Sequence, residues 1–138
     1  MSDALNSSSD NTLCIFVVED NADTLKYLTR QLVKQGHQVL CATSMRQALE
    51  DLPAAGCDVL ISDIGLPDGD GWQLLKEVRL KQTVYAIAMS GYGMASDRAK
   101  SREAGFRHHL LKPFSKETLR ELLAEAVREK GGRMTNDE

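Results

Sequence analysis

The segment DVLISDIGLPDGDGW, residues 58–72, decides the fold class of this chain. After Asp58 comes the apolar run Val59 to Ile61, which is typical of a strand buried on both faces. The strand then stops at Asp63, and a turn rich in glycine, proline and aspartate follows. A helical pattern, GWQLLKEVRL (71–80), comes next. A buried strand that passes through a polar turn into a helix is the repeating unit of an α/β fold with a parallel sheet.

The same unit recurs along the chain. Strands are predicted at 13–18, 38–42, 58–62, 84–90 and 109–111, and helices at 24–35, 44–52, 71–80, 96–104 and 115–130. Ser44 and Ser115 are the expected N-caps of the second and fifth helices. Because parallel strands need crossover helices, this alternation predicts a doubly wound, five-stranded parallel sheet with helices on both faces.

The bulk properties favour one cytoplasmic domain. Residues 1–11 and 131–138 are polar and are expected to be tails around a domain at 12–130. The formal net charge is −3, so no basic field indicates DNA binding. No apolar run approaches the roughly 20 residues of a membrane-spanning helix, and the N-terminus lacks the pattern of a signal peptide. We therefore expect a cytoplasmic protein without membrane insertion.

The three cysteines are expected to be structural. Cys14, Cys41 and Cys57 are an odd number and show no C-x-x-C spacing. Cys14 and Cys41 lie in apolar strand-like runs, where a free cysteine behaves as a small hydrophobic residue. We therefore expect buried thiols rather than a disulfide framework or a zinc site.

Polar residues gather where the predicted strands end, and carboxyl ends of parallel strands share one edge of a sheet. Glu19 and Asp20 follow the first strand, and the later strands end at Asp63, Ser90 and Lys112. The acids alone are common as cap or turn residues, and a lone serine or lysine indicates little, but together the five residues indicate a site. One lysine cannot balance three carboxylates, so a hard divalent ion such as Mg²⁺ is expected.

The same residues suggest phosphoryl chemistry. A lysine and a serine hydroxyl beside a metal ion can hold the oxygens of a transferring phosphoryl group. A carboxylate can be the nucleophile and form an aspartyl-phosphate. Asp63 is the natural candidate because it follows the central strand.

Four motifs, in order, make the chain resemble the receiver (response-regulator) domains of two-component phosphorelays. They are VVEDN (17–21), DIGLPDGDG (63–71), AMSGYG (88–93) and AGFRHHLLKPF (104–114). The resemblance covers about residues 12–130. It implies a flavodoxin-like fold with strand order 2-1-3-4-5.

The resemblance also implies a role for each site residue. Asp63 would be the phosphoacceptor, and Mg²⁺ would be held by Asp20, Asp63 and the backbone carbonyl of Gly65, with Glu19 assisting. Lys112 would pair with the phosphoryl oxygens, Ser90 would hydrogen-bond the phosphoryl group and report its arrival, and the Lys112-Pro113 bond would be cis.

Two positions depart from the family pattern. His109 stands three residues before Lys112, where receivers often carry a tyrosine or phenylalanine that swings inward on activation. It is either a switch residue together with Ser90 or a polar surface residue. Gly69 stands two residues after Pro67, where a methionine is frequent, and is expected to loosen the loop.

The resemblance implies partners as well. The phosphoryl group would come from a sensor histidine kinase or a histidine phosphotransfer protein. Its arrival would change the face made by the fourth helix, fifth strand and fifth helix, whose edge would serve a partner or a homodimer. The sequence of residues 91–114 resembles that of receivers attached to hybrid sensor kinases. The chain is expected to be either a stand-alone receiver or a domain cut from a longer protein.

Two other functions fit the motifs less well. A phosphatase of the haloacid-dehalogenase type needs a second aspartate two residues after its nucleophile, whereas Asp20 is followed by Asp23. A flavodoxin-like FMN carrier needs a phosphate-binding loop after the first strand, but EDNADT (19–24) is acidic there. The motifs favour the receiver.

Overall fold

The predicted doubly wound fold is confirmed in the computed structural model, which describes residues 11–91 and 95–136 of the chain. Five parallel strands form one sheet in the order β2-β1-β3-β4-β5. The strands are β1 (Cys14–Val18), β2 (Gln38–Ala42), β3 (Val59–Asp63), β4 (Tyr85–Ser90) and β5 (His108–Leu111). The helices are α1 (Ala22–Lys34), α2 (Met45–Ala55), α3 (Gly71–Val78), α4 (Ala95–Ala104) and α5 (Lys116–Asn136).

The core lies on both faces of the sheet. On one face, Phe16 and Leu60 pack in a cluster that includes buried residues of α2, α3 and α4. On the other face, Ile15 and Ile61 pack in a cluster with buried residues of α1 and α5. Both sides of β1 and β3 are therefore covered, which explains why their sequences are continuously apolar rather than alternating.

The predicted helix caps are present. Ser44 Oγ accepts a hydrogen bond from the backbone N–H of Gln47 at 3.1 Å, at the start of α2. Ser115 Oγ accepts one from the N–H of Thr118, also at 3.1 Å, before α5. Each cap satisfies a backbone donor that has no partner within its helix.

The prediction of three buried thiols is wrong for two of them. Cys41 is exposed and Cys14 is half-buried. Cys41 belongs to β2, an edge strand that is largely exposed, so its apolar sequence did not imply burial. Cys57 is buried as expected, and burial raises its thiol pKa to about 12.

The two predicted tails can be compared with the structure only at the C-terminal end. Helix α5 runs to Asn136 and so includes most of the segment 131–138 that was expected to be a polar tail. The predicted N-terminal tail, 1–11, lies outside the described residues except for Asn11. The domain limits of 12 and 130 stay a prediction, and the final helix extends past residue 130.

The loop between β3 and α3 is a short hairpin, which the sequence did not predict. Gly65–Leu66 pairs antiparallel with Gly69–Asp70, and the N–H of Gly71 donates to the carbonyl of Ile64 at 2.8 Å. A side chain at position 69 would begin 2.7 Å from the sulfur of Met45. Instead of the loosened loop expected at Gly69, the structure shows a paired loop in contact with α2.

Two acids of this loop have structural roles. Both carboxylate oxygens of Asp68 accept backbone N–H groups at the start of α2, from Met45 at 2.7 Å and Arg46 at 2.9 Å. The hydrogen bonds from Arg46 and Met45 lower the pKa of Asp68. Asp70 is the N-cap of α3. Among the acids of residues 63–71, this leaves Asp63 for chemistry.

The close approach of the loop to β3 predicts a strong effect of Gly71→Ala. The added Cβ would lie 2.6 Å from the carbonyl oxygen of Asp63, which belongs to the backbone and cannot easily move. We expect the free energy of unfolding to fall by about 1–3 kcal/mol, as for other overpacked sites. Urea denaturation measures this loss. Gly65→Ala is the control because its Cβ would meet no atom within 4 Å; equal stability of the two variants would contradict the prediction.

Candidate functional site

The predicted site residues meet at the carboxyl edge of the sheet. Glu19 and Asp20 follow β1, Asp63 ends β3, Ser90 ends β4 and Lys112 follows β5. One oxygen each from Glu19, Asp20 and Asp63 lies within 4.8 Å of the others. The structure therefore brings together residues that are up to 93 positions apart in sequence.

Lys112 connects two of these carboxylates. Its Nζ donates to Glu19 Oε1 at 2.7 Å and to Asp63 Oδ2 at 3.0 Å. The side chain of Glu19 is only 1% exposed and that of Asp63 is 14% exposed. Since a buried carboxylate is costly without a partner, this ammonium group is what allows the acidic residues to lie together.

The electrostatics of the pair follow from burial and hydrogen bonding. Burial raises the pKa of Glu19, although hydrogen bonds from Lys112 and the N–H of Asn21 act in the opposite direction. Burial lowers the pKa of Lys112, but its hydrogen bonds to Glu19 and Asp63 outweigh this, and the net pKa is raised. Lys112 is therefore held as a cation.

The donor set suits a hard divalent cation. Three carboxylates face one ammonium group, so the site has an excess of negative charge. Asp20 is exposed, and water can therefore complete the coordination around it. Mg²⁺ prefers this combination of a few carboxylate oxygens with water. Gly65 lies in the hairpin beside the site, and its carbonyl as a metal ligand stays a prediction.

His109 is not a solvent-facing surface residue. It is half-buried in β5, and its Nε2 lies 2.7 Å from Ser90 Oγ. Its other nitrogen, Nδ1, lies 3.1 Å from the Oγ of Ser101 in α4. The two residues predicted as a switch, Ser90 and His109, are thus in direct contact. The Lys112-Pro113 peptide bond next to them is cis, as predicted.

One residue of this network, Ser101, was missed from the sequence. Ser101 is 2% exposed, and its Oγ accepts a hydrogen bond from the indole N–H of Trp72 at 3.0 Å. Ser101 lies in SDRAKSREA (96–104), a polar helix in which a serine is typically solvent-facing. Neither the spacing nor the composition of this helix indicates that Ser101 is buried. Its role is visible only in the tertiary packing of α4 against α3 and β5.

No helix among the described residues combines the length and apolarity that crossing a membrane requires.

Comparisons with known proteins point to one family. Residues 15–124 match the model of the response regulator receiver domain. The KDP operon transcriptional regulatory protein KdpE of Escherichia coli (strain K12) is 31% identical over 114 residues, which are 83% of this chain and 51% of that protein. The chain thus spans about half the length of this relative.

Solved structures agree. A CheY-like response regulator receiver domain protein from Methanospirillum hungatei JF-1 has a TM-score of 0.82 at 24% identity, over 88% of this chain and 98% of that one. At this identity the similarity shows a shared fold. The receiver domain of a sensor histidine kinase from Pseudomonas aeruginosa PAO1 has a TM-score of 0.77 at 26% identity, over 84% and 98%. The latter structure has a magnesium ion in its active-site cleft.

The two ion pairs of Lys112, with Glu19 and Asp63, predict that Lys112→Met is destabilising. Glu19 would lose its cationic partner while remaining buried, which costs about 3 kcal/mol of unfolding free energy at neutral pH. The loss should shrink on acidification, because a protonated Glu19 needs no partner. Urea unfolding at neutral and mildly acidic pH measures both effects. Lys76→Met is the control, since Lys76 is exposed on α3. Equal losses of unfolding free energy in both variants would refute a stabilising role for the ion pairs of Lys112.

Proposed function

Because this chain belongs to the response regulator receiver domain family, we propose that it accepts a phosphoryl group from a partner phosphohistidine onto Asp63. The reaction depends on Mg²⁺. The observation that supports this most directly is the position of Lys112, whose ammonium group contacts both Glu19 and Asp63. A half-exposed lysine beside a carboxylate at the edge of a cleft is suited to bind an incoming anion.

The transfer itself follows from the geometry of Asp63. Lys112 binds Oδ2 of Asp63, so Oδ1 is the oxygen suited to attack phosphorus. A new O–P bond forms as the P–N bond of the phosphohistidine breaks, and the imidazole leaves with the electron pair of that bond. Lys112 then shares its hydrogen bonds with the equatorial oxygens of the phosphoryl group, whose charge needs compensation in the transition state.

The metal site would use the acids of the same edge. Asp20, Asp63 and the carbonyl of Gly65 would hold Mg²⁺, with Glu19 assisting through water. When bound, the ion supplies positive charge to the phosphoryl oxygens. The three-carboxylate cluster supports this assignment, as does the magnesium ion in the related receiver from the sensor kinase.

The proposed output is the surface of α4, β5 and α5. Ser90, at the end of β4, contacts His109 of β5, which contacts Ser101 of α4. A movement of Ser90 toward a phosphoryl group on Asp63 would therefore be felt in two of the three elements of this surface. We assign its solvent edge to a downstream partner or to a second copy of the chain.

The phosphoryl donor that we propose is a sensor histidine kinase or a histidine phosphotransfer protein. The family match favours this over the dehalogenase-type phosphatase and the FMN carrier. The net charge of −3 favours a protein partner over DNA for the receiver itself.

Mass spectrometry of the intact protein after incubation with acetyl phosphate tests this function. We expect one phosphoryl adduct in the natural protein with Mg²⁺, and none after chelation or in Asp63→Asn. Asp58→Asn is the matched control, because Asp58 stands just before the amino end of the same strand and contacts Lys130 instead. It should form the adduct normally.

The contradicting outcomes are equally specific. An adduct on Asp63→Asn, or one that forms without a divalent ion, would place the chemistry elsewhere. The absence of an adduct from both acetyl phosphate and phosphoramidate, on folded protein that binds Mg²⁺, would refute phosphoacceptor activity at Asp63.

A further inference from the structure

A chain of hydrogen bonds runs from the start of α3 to the end of β4. The Nε1 of Trp72 lies 3.0 Å from Ser101 Oγ, Ser101 Oγ lies 3.1 Å from His109 Nδ1, and His109 Nε2 lies 2.7 Å from Ser90 Oγ. Its two hydroxyl residues are buried, with 2% exposure for Ser101 and 6% for Ser90. This chain of hydrogen bonds links α3 and α4 to the hydroxyl of Ser90.

The first bond of the chain has only one direction. An indole N–H can donate but cannot accept, so Ser101 Oγ is the acceptor from Trp72. Ser101 then still has one hydroxyl hydrogen. Among the described residues its hydroxyl forms hydrogen bonds only with Trp72 and His109. The hydrogen therefore points to His109 Nδ1, since a buried donor without an acceptor is costly.

This direction determines the tautomer of His109. If Nδ1 accepts from Ser101, the neutral ring carries its hydrogen on Nε2. The Nε2–H then donates to Ser90 Oγ. The opposite tautomer would place two N–H groups on Ser101 Oγ, and among the described residues the buried Ser101 hydrogen would then have no hydrogen-bond acceptor.

We propose that Trp72 and Ser101 are positioning residues that hold His109 in its Nε2–H form, so that Ser90 accepts from His109 and donates its hydrogen to a phosphoryl oxygen on Asp63. This use of Ser90 rests on the proposed function. In the opposite tautomer, Ser90 would donate its hydrogen to His109. The tautomer thus decides whether the hydroxyl meets the phosphoryl group as a donor.

The common direction of the hydrogen bonds from Trp72 to Ser90 also strengthens them. Each donor in such a series is polarised by the hydrogen bond that it accepts, which makes the Ser90 hydroxyl a better donor. A phenylalanine at position 109 would provide no link between Ser101 and Ser90. The same series of hydrogen bonds therefore explains both the histidine at position 109 and the burial of Ser101.

Nuclear magnetic resonance of the imidazole nitrogens tests the tautomer without any phosphorylation. In the natural protein we expect the ¹⁵N shift of a protonated Nε2 and an unprotonated Nδ1 for His109, assigned through His109→Gln. His37 is an internal reference, because its Nδ1 accepts the backbone N–H of Leu13 at 3.0 Å. Ser101→Ala should convert His109 to a mixture of tautomers and leave His37 unchanged. Ser96→Ala, an exposed serine of the same helix, is the control.

Two results would overturn the inference at this stage. One is a hydrogen on Nδ1 of His109 in the natural protein. The other is an unchanged His109 tautomer in Ser101→Ala. Trp72→Phe tests the first hydrogen bond of the series. Without the indole donor, Ser101 Oγ can either donate to His109 Nδ1 or accept from it, and a mixture of His109 tautomers is expected.

A binding experiment tests the effect on Ser90. Beryllofluoride with Mg²⁺ is a mimic of the phosphoryl group on an aspartate, and its affinity is measured by titration. We expect Ser101→Ala to weaken binding about threefold to tenfold, the range of one net hydrogen bond. In a Ser90→Ala background the same substitution should have no effect, because Ser101 acts only through Ser90.

The two proposals fail in different ways. If the natural protein does not bind beryllofluoride, the proposed function fails, whatever the tautomer. If the natural protein binds it and Ser101→Ala binds equally well, the role of Ser101 is refuted while the function stands. An equal loss in the natural and Ser90→Ala backgrounds would mean that Ser101 only stabilises the packing of α4.

Discussion

The ammonium group of Lys112 between Glu19 and Asp63 is the interaction on which the site depends. Glu19 is almost fully buried, and three carboxylates at one edge of a sheet would repel one another without a cation. Lys112 compensates part of this charge, and the remaining negative charge favours a divalent cation. The parallel sheet makes the arrangement possible, since it brings the ends of β1, β3 and β5 together.

Much of this could be predicted from the sequence. The continuous apolar runs of β1 and β3 identified central strands, and the position of each strand end located Glu19, Asp63 and Lys112. These signals are local, because burial on both faces and the residue after a strand are visible in the chain itself. The cis bond before Pro113 came from the family resemblance instead.

The rest depended on contacts that no local pattern records. Cys41 has an apolar context but lies on an edge strand, and edge position is a property of the whole sheet. Asp68 caps α2 from a distant loop. Ser101 is a buried serine in a polar helix, and only the packing of α4 shows that its hydroxyl lies between Trp72 and His109.

A crystal structure of the protein with Mg²⁺ and beryllofluoride tests the central claim most directly. The account predicts beryllofluoride on Asp63, Mg²⁺ bound by Asp20 and Asp63, and fluorine atoms within hydrogen-bond distance of Lys112 Nζ and Ser90 Oγ. An ion bound without Asp63, or beryllofluoride held away from Lys112, would contradict it.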